Sequence, residues 1–381
     1  MSEQVPHKLS YRRMSRRIIL QASAALLSAP FVAKATAAFG KEKLAGAGEV
    51  VVYSYGGSFT ENLRKSVSDP FTRATGIRVV DVTADNAEPQ IKAMIEAGRV
   101  DWDIAIVNAF WPAYLDLQQA GAFTPIDYSL WEDEALKGVP ESARLKDAVV
   151  AFQNANLLLY GDRAFPKGGP KNWADFWNVK EFPGPRGLSA NSTNSDLAFA
   201  LIADGFTQKG PWRLTDDKVD RALKKLDQIK PHITKWWTAG GEPIQLLING
   251  EYALTSSYDG RALAAIRKGA PIRLVWDGAY VNDNYWIVVK GGPNSANAQK
   301  FIAFVNRAEV AAAFTQGTAF PGPNLNQLKY LPPDLVPLIS ISPDNAAKVV
   351  RFDVPWFLEK RPDGKTNTEY LQERWLSWRA Q

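Results

Sequence analysis

The stretch "EVVVYSYGGSFTENLRKSVSDPFTRATGIRVVDVTADNAEPQIKAMIEAGRVDWDIAIV", Glu49 to Val107, decides the fold class. It opens on a β-rich run, "EVVVYSY", that stops at Gly56-Gly57. "SFTENLRKSVSDPFTRATG" then repeats Phe59, Leu63, Val67 and Phe71 every four residues, a helical stripe that Ser58 or Thr60 could cap. "IRVVDVT" predicts a second strand, "AEPQIKAMIEAG" a second helix and "WDIAIV" a third strand. Strand, helix, strand, helix, strand implies parallel βαβ units. Ligands of such sheets sit at the carboxyl ends of strands. Two such ends here are "YSYGGS" and "VNAFW".

The pattern continues downstream. "VVAFQNANLLLY" starts a second unit, "NWADFW" predicts a short helix, and "GLSANSTNSDLAFALIAD" reads as strand, polar loop and helix. "KVDRALKKLDQIKPHI" is amphipathic and is ended or kinked by Pro231. "EYALTSS" predicts a strand, "RALAAIRKG" a helix, and "IRLVW" and "YWIVVKG" two later strands. There is no internal repeat. At 381 residues the chain can form two domains or one large one.

Composition narrows the function. With no cysteine, thiol catalysis, disulfides and thiolate zinc sites are excluded. The chain carries a net charge of +5. Lys8, Arg12, Arg13, Arg16, Arg17 and Lys34 against Glu3 place the same +5 within residues 1–37. The remainder is formally neutral and has no global field for a phosphate backbone, so no nucleic-acid partner is expected. Those first residues have the form of an export signal: Arg16-Arg17, the apolar run "IILQASAALLSAPFVA", then "ATAA", suited to cleavage near Ala37. "SRRIILQ" resembles the twin-arginine motif, with Ile19 and Gln21 where phenylalanine and lysine are common. A soluble periplasmic protein is expected.

The order and spacing of "VVYSYGGSFTENLRKSVSDPFTRATGIRV", "DWDIAIVNAFW", "NWADFW", "YDGRALAAIRKGAPIRLVW", "FPGPNLNQL" and "NTEYLQERW" resemble the periplasmic solute-binding proteins of ABC importers, in their spermidine/putrescine-binding branch. The resemblance runs from about Glu49 to the C-terminus. It implies an α/β, two-lobed periplasmic binding protein fold (type II-like) with the ligand cleft between the lobes. Lobe 1 would comprise 38–152 and 283–317, and lobe 2 153–282 and 318–381. The chain would cross near Phe152, near Asp283 and again near Gly317–Pro323. It further implies a monomer, an ABC permease as partner, a small-molecule amine or amino acid as ligand, and neither cofactor nor metal.

Carried over residue by residue, the resemblance puts Tyr55 and Tyr258 at stacking positions and Asn108 and Phe110 on a cleft wall. The branch's acidic pair falls on Ser192 and Ser195, and a further carboxylate position falls on or beside Trp286. A desolvated polyamine needs anionic partners, so the serines speak against one. Arg261, after Tyr258, suits a two-point carboxylate contact, and Asp283 suits an ammonium. Together they suit a zwitterion such as γ-aminobutyrate. Other readings stand beside this one: a putrescine/spermidine carrier proper, or a carrier of ferric iron or another organic solute. Arg261 could instead pair with Asp259, Asp259 could cap the helix starting at Arg261, and Asp283 could be a turn residue in "VNDNY". Trp236 and Trp237 fit either the cleft or a lobe interior. No catalytic residue is expected: the two histidines are His7, in the export segment, and His232, after Pro231. No nucleophile elbow, phosphate loop or dinucleotide fingerprint occurs.

If Arg16-Arg17 directs export by the twin-arginine route, replacing both by lysine traps uncleaved precursor in the cytoplasm. Cell fractionation checks this; mature protein outside the cytoplasm in normal amount contradicts it.

Overall fold

The computed structural model describes residues 41–108, 112–351 and 353–381, so the export segment and Phe110 lie outside the described residues. Residues 41–43 adjoin the export segment; all that follows concerns the unit Leu44–Gln381. The expected opening is present. β1 (Glu49–Ser54) pairs in parallel with β2 (Arg78–Thr83) and with β3 (Ile104–Asn108).

The helical stripe between β1 and β2 meets a geometric problem. Apolar residues every fourth position drift around a helix of 3.6 residues per turn. The helix resolves this with a π turn at Arg64–Ser68, between α-helical Gly57–Leu63 and Asp69–Thr75. The wider turn absorbs part of the drift. Leu63, Val67 and Phe71 are consequently all fully buried in one cluster. Each such side chain contributes roughly 1.5–3 kcal/mol by leaving water.

β4 (Phe123–Thr124), β5 (Val149–Gly161), β6 (Arg186–Ser189), β7 (Ile233–Trp237), β8 (Leu254–Tyr258), β9 (Ile272–Val289) and β10 (Val350–Arg351) complete the sheet. Its order among the described residues is β2-β1-β3-β9-β5-β8-β6-β7, with β4 and β10 also on β9. "IRLVW" and "YWIVVKG" are therefore one strand of 18 residues rather than two. The stretch between them hides this continuity in sequence, because Gly278 and the polar run Asn282–Asn284, where Asp283 and Asn284 hydrogen-bond to Gln153 and Asn154 of β5, interrupt the apolar pattern. β7 lacks the alternation too, being a largely exposed edge strand.

β5 and β9 run antiparallel along almost their whole length and tie two regions of core together. At the β3 end, Ile104, Ile106, Trp286 and Val288 point into one apolar cluster, and Ala105, Val107, Ile287 and Val289 into another on the opposite face. At the β8 end, Leu158 and Tyr280 join one cluster, and Leu157, Leu159 and Val281 the opposite one. Phe152 and Gln153 of β5 oppose Asn284 and Asp283 of β9, and Gln153 N–H donates to Pro321 C=O at 2.9 Å. The three segments expected to cross thus meet at one point. Asp103, just before β3, is buried: it accepts from Val51 N–H at 2.8 Å and Asn294 Nδ2 at 3.0 Å.

The ribbon carries one large irregularity. Asn156 opposes Tyr280 while Leu158 opposes Val275, so four residues of β9 lie against Leu157 alone. Gly278, in this bulge, has φ +75°, donates to Lys348 C=O at 2.9 Å and accepts from Trp173 Nε1 at 3.1 Å. A Cβ there would come within 2.7 Å of the Trp173 ring. Gly278→Ala combines a left-handed backbone with a clash, and should destabilise by roughly 2–4 kcal/mol. A urea titration of the variant beside the native protein measures this.

Candidate functional site

The carboxyl end of β1 presents Tyr55. Gly56 follows with φ +79°, a conformation open to glycine, and its N–H donates to Thr60 Oγ1 at 3.0 Å. Thr60 also contacts Ser54 Oγ and so fixes the turn. The Tyr55 ring meets Tyr53 and Phe59 edge-on, with centroids at 5.8 and 5.3 Å, and remains 39% exposed. At the end of β3, Asn108 N–H donates to Glu88 Oε1 at 3.0 Å. Glu88 is buried, and burial raises its carboxyl above the usual range. It also helps to push the Tyr53 hydroxyl upward, secondary to burial. Sequence reasoning passed over this acid: "DNAEP" matches no metal loop, and nothing local marks Glu88 as buried.

The crossing ribbon supplies the floor. Asn108 opposes Asn284 on β9, Asn154 of β5 opposes Asn282, and Asn156 opposes Tyr258 of β8. Residues two apart on a strand share a face, so Asn108, Asn284, Asn154, Asn282 and Asn156 form one row. Asn284 Nδ2 donates to Asn154 Oδ1 at 2.9 Å. The sequence signal was available as Asn-x-Asn in both "QNAN" and "NDN", but it acquires meaning only once the two strands are known to pair.

The row ends in a cavity of about 440 Å³ lined by Asn156, Ser192, Ser195, Tyr258, Asn282 and Gln372, among others. Ser192 stands at the N-cap position of the helix Thr193–Ala203, without a side-chain capping bond. Ser195 Oγ donates to Ser192 C=O at 3.0 Å and accepts from Asn156 Nδ2 at 3.0 Å. Asn156 Oδ1 and Asn282 Oδ1 are buried acceptors with no hydrogen-bond partner. Leaving such a group unpaired costs about 1–3 kcal/mol, which a donor on a bound molecule would recover. Among the described residues, no carboxylate lines this cavity. Asp196, one residue beyond Ser195, is fully buried without a hydrogen-bond partner; burial pushes its carboxyl well up.

Tyr258 is backed edge-on by the buried Trp237 at 5.6 Å. Trp236 packs instead against Trp375 and Trp378. Neither tryptophan lines the cavity. The helix after β8 starts at Asp259, with Tyr258 as its N-cap, so Asp259 is not the cap of a helix beginning at Arg261. Burial pushes the Asp259 carboxyl up to about 7, and the amides of Ala155 and Gly260 oppose that shift.

Three expected contacts lie apart from this cavity. Arg261 is exposed and borders a neighbouring surface groove with Gly241 and Gln245. It nonetheless flanks Gly240 together with Tyr258: a Cβ on Gly240 would sit 2.9 Å from Arg261 Nε and 3.2 Å from the Tyr258 ring. Asp283 points to the face opposite Asn282, accepts from Gln153 Nε2 at 2.9 Å and lines a different cavity. It is a strand residue, not a turn, and strand alternation turns it away from Ser192. Trp286 is 1% exposed, inside the apolar cluster and edge-on to Phe301 at 5.8 Å, so it faces core rather than ligand. The described residues contain no cluster of histidine and carboxylate groups able to hold a metal ion. No helix among them is long and apolar enough to cross a membrane.

Comparison with known proteins gives a consistent result. Residues 66–332 match the family described as "Bacterial extracellular solute-binding protein". The chain is 32% identical to the gamma-aminobutyric acid-binding protein of Pseudomonas aeruginosa, over 87% of this chain and 91% of that one. It is 24% identical to the spermidine/putrescine-binding periplasmic protein of Escherichia coli, over 75% and 82%. An ABC transporter substrate-binding protein from Bradyrhizobium japonicum superposes with a TM-score of 0.75 at 28% identity, covering 87% of this chain and 99% of that one.

Proposed function

We propose, for a chain that belongs to the bacterial extracellular solute-binding protein family and has its two-lobed α/β fold, that the solute is a small ω-amino acid of the γ-aminobutyrate kind. The protein serves as the extracytoplasmic solute-binding subunit of an ABC importer. It takes up its solute in the cleft, closes on it and delivers it to a membrane permease. It acts as a monomer and as a carrier rather than an enzyme, after export through its cleaved N-terminal segment. Lobe 1 then comprises 38–152 and 283–317, and lobe 2 comprises 153–282 and 318–381.

The observation that carries this reading is the pair of unpartnered acceptors, Asn156 Oδ1 and Asn282 Oδ1, in a cavity without a carboxylate. Neutral acceptors can satisfy the N–H groups of one ammonium. They cannot neutralise the charges of a polyamine taken out of water. Arg261 makes no ion pair or hydrogen bond among the described residues and lies beside Tyr258, where it can meet the solute's carboxylate. Tyr55, Asn108, Phe110, Ser192, Ser195 and Tyr258 complete the proposed contacts. The 32% identity to a γ-aminobutyrate-binding relative supports the same solute class.

Polyamine capture is the second reading. It is favoured by the buried Glu88 carboxylate under Asn108, which could serve a second ammonium, and by the relative that binds spermidine and putrescine.

Calorimetry with γ-aminobutyrate and putrescine in parallel separates the two. γ-Aminobutyrate should bind the more tightly. A hydrogen bond to a charged group contributes about 1.5–3 kcal/mol, so Asn282→Leu should weaken it at least tenfold. Arg261→Ala should also weaken γ-aminobutyrate by roughly tenfold or more and leave putrescine unchanged. Arg261→Lys should restore only part, because lysine lacks the planar fork. Tighter putrescine binding that survives Arg261→Ala establishes the polyamine reading instead.

A further inference from the structure

Behind the crossing ribbon, on the face opposite the asparagine row, lies a cavity of about 610 Å³. It is walled largely by apolar side chains, among them Val281, Leu328 and Ile341. Two of its polar groups, Gln153 and Asp283, belong to one chain of hydrogen bonds. Ser340 Oγ donates to Gln153 Oε1 at 2.9 Å, and Gln153 Nε2 donates to Asp283 Oδ1 at 2.9 Å. Ser340 and Gln153 are themselves buried. The chain of hydrogen bonds therefore ends on a carboxylate that, among the described residues, is held only by a neutral amide. An ionised carboxyl in such surroundings calls for a cationic partner.

One cation stands nearby. Arg351, on β10, lies opposite Val281 in the register and lines the same cavity. Asp283 is two residues beyond Val281 on the same face, about 7 Å along the strand. The guanidinium is exposed, and no ion pair joins it to Asp283 or to any other described residue. Burial raises the Asp283 carboxyl, and the charge of Arg351 opposes the shift without cancelling it. An anion inside and a cation at the edge, offset along neighbouring strands and flanked by hydrocarbon walls, form a complementary frame for a molecule of opposite polarity.

We propose that this rear cavity is a second small-molecule site, for a zwitterion with a short hydrocarbon body, its ammonium on Asp283 and its carboxylate on Arg351. The site goes beyond the proposed cleft and does not depend on it, since the two share no lining residue. Because it abuts β5, β9 and the segment after Pro321, an occupant touches all three crossings at once.

The probe is 6-aminohexanoate, titrated by calorimetry into the exported form of the native protein and of four variants. Arg351→Gln removes an exposed charge and should leave folding intact, which a thermal melt checks. Asp283→Asn keeps an acceptor for Gln153. Each should weaken the probe roughly tenfold or more. Ala346→Leu, which fills part of the cavity, should also weaken it while preserving or raising the melting temperature. Tyr258→Ala, in the front cavity, should leave rear binding unchanged. The proposal is overturned by an absence of binding at millimolar probe, by affinity indifferent to Arg351→Gln and Ala346→Leu, or by binding lost with Tyr258→Ala alone. Failure of the γ-aminobutyrate experiment leaves these outcomes readable, because they use a different cavity and different residues.

Discussion

The antiparallel pairing of β5 with β9 is the constraint on which the rest of the molecule depends. It is the only strand pair that runs from one region of core to the other among the described residues. Its backbone hydrogen bonds set which side chains face which way across the junction. At Gln153 and Asp283 the alternation separates two environments: asparagines on one face, and a carboxylate with its amide partner on the other. A one-residue slip in this ladder would exchange the two faces. Register is held by the bulge around Gly278 and by the packing of Trp286 and Phe152 into core.

The same alternation explains how the site can be selective without many charges. Five asparagines along one face offer an uncharged, hydrogen-bonding floor, and the ends of β1 and β8 add tyrosine rings. Amide groups satisfy one another where they meet, as Asn284 and Asn154 do. Where they do not, at Asn156 and Asn282, unused acceptors remain. In a cavity without carboxylates, geometry and hydrogen-bond count then carry more of the discrimination than net charge.

Much of the fold was legible because it rests on local periodicity. The first three strands, the helix stripe from Phe59 to Phe71 and the amphipathic helix ended near Pro231 all lie where the apolar spacing puts them. The site was legible only in part. Ser192, Ser195 and Tyr258 share a cavity, because each sits at or beside a strand end or helix start that resemblance can align. Asp283 and Trp286 went astray for a different reason. On a strand, neighbouring residues point to opposite faces, so a charged residue near a cleft in sequence has even odds of facing away from it. Glu88 was missed because a buried acid in the first turn of a helix looks the same in sequence as a solvated one.

The π turn at Arg64–Ser68 has an implication for how this helix tolerates change in length. The segment between β1 and β2 holds one residue more than a regular α-helix needs to keep Leu63, Val67 and Phe71 in line. The surplus is stored in a single wide turn. Removing one residue there would let the turn relax to ordinary α geometry with its apolar stripe still continuous, whereas the same deletion elsewhere in the helix would rotate half of that stripe out of the core. The helix thus carries its own slack, confined to one place, where the chain can be shortened without dismantling what its buried stripe packs against.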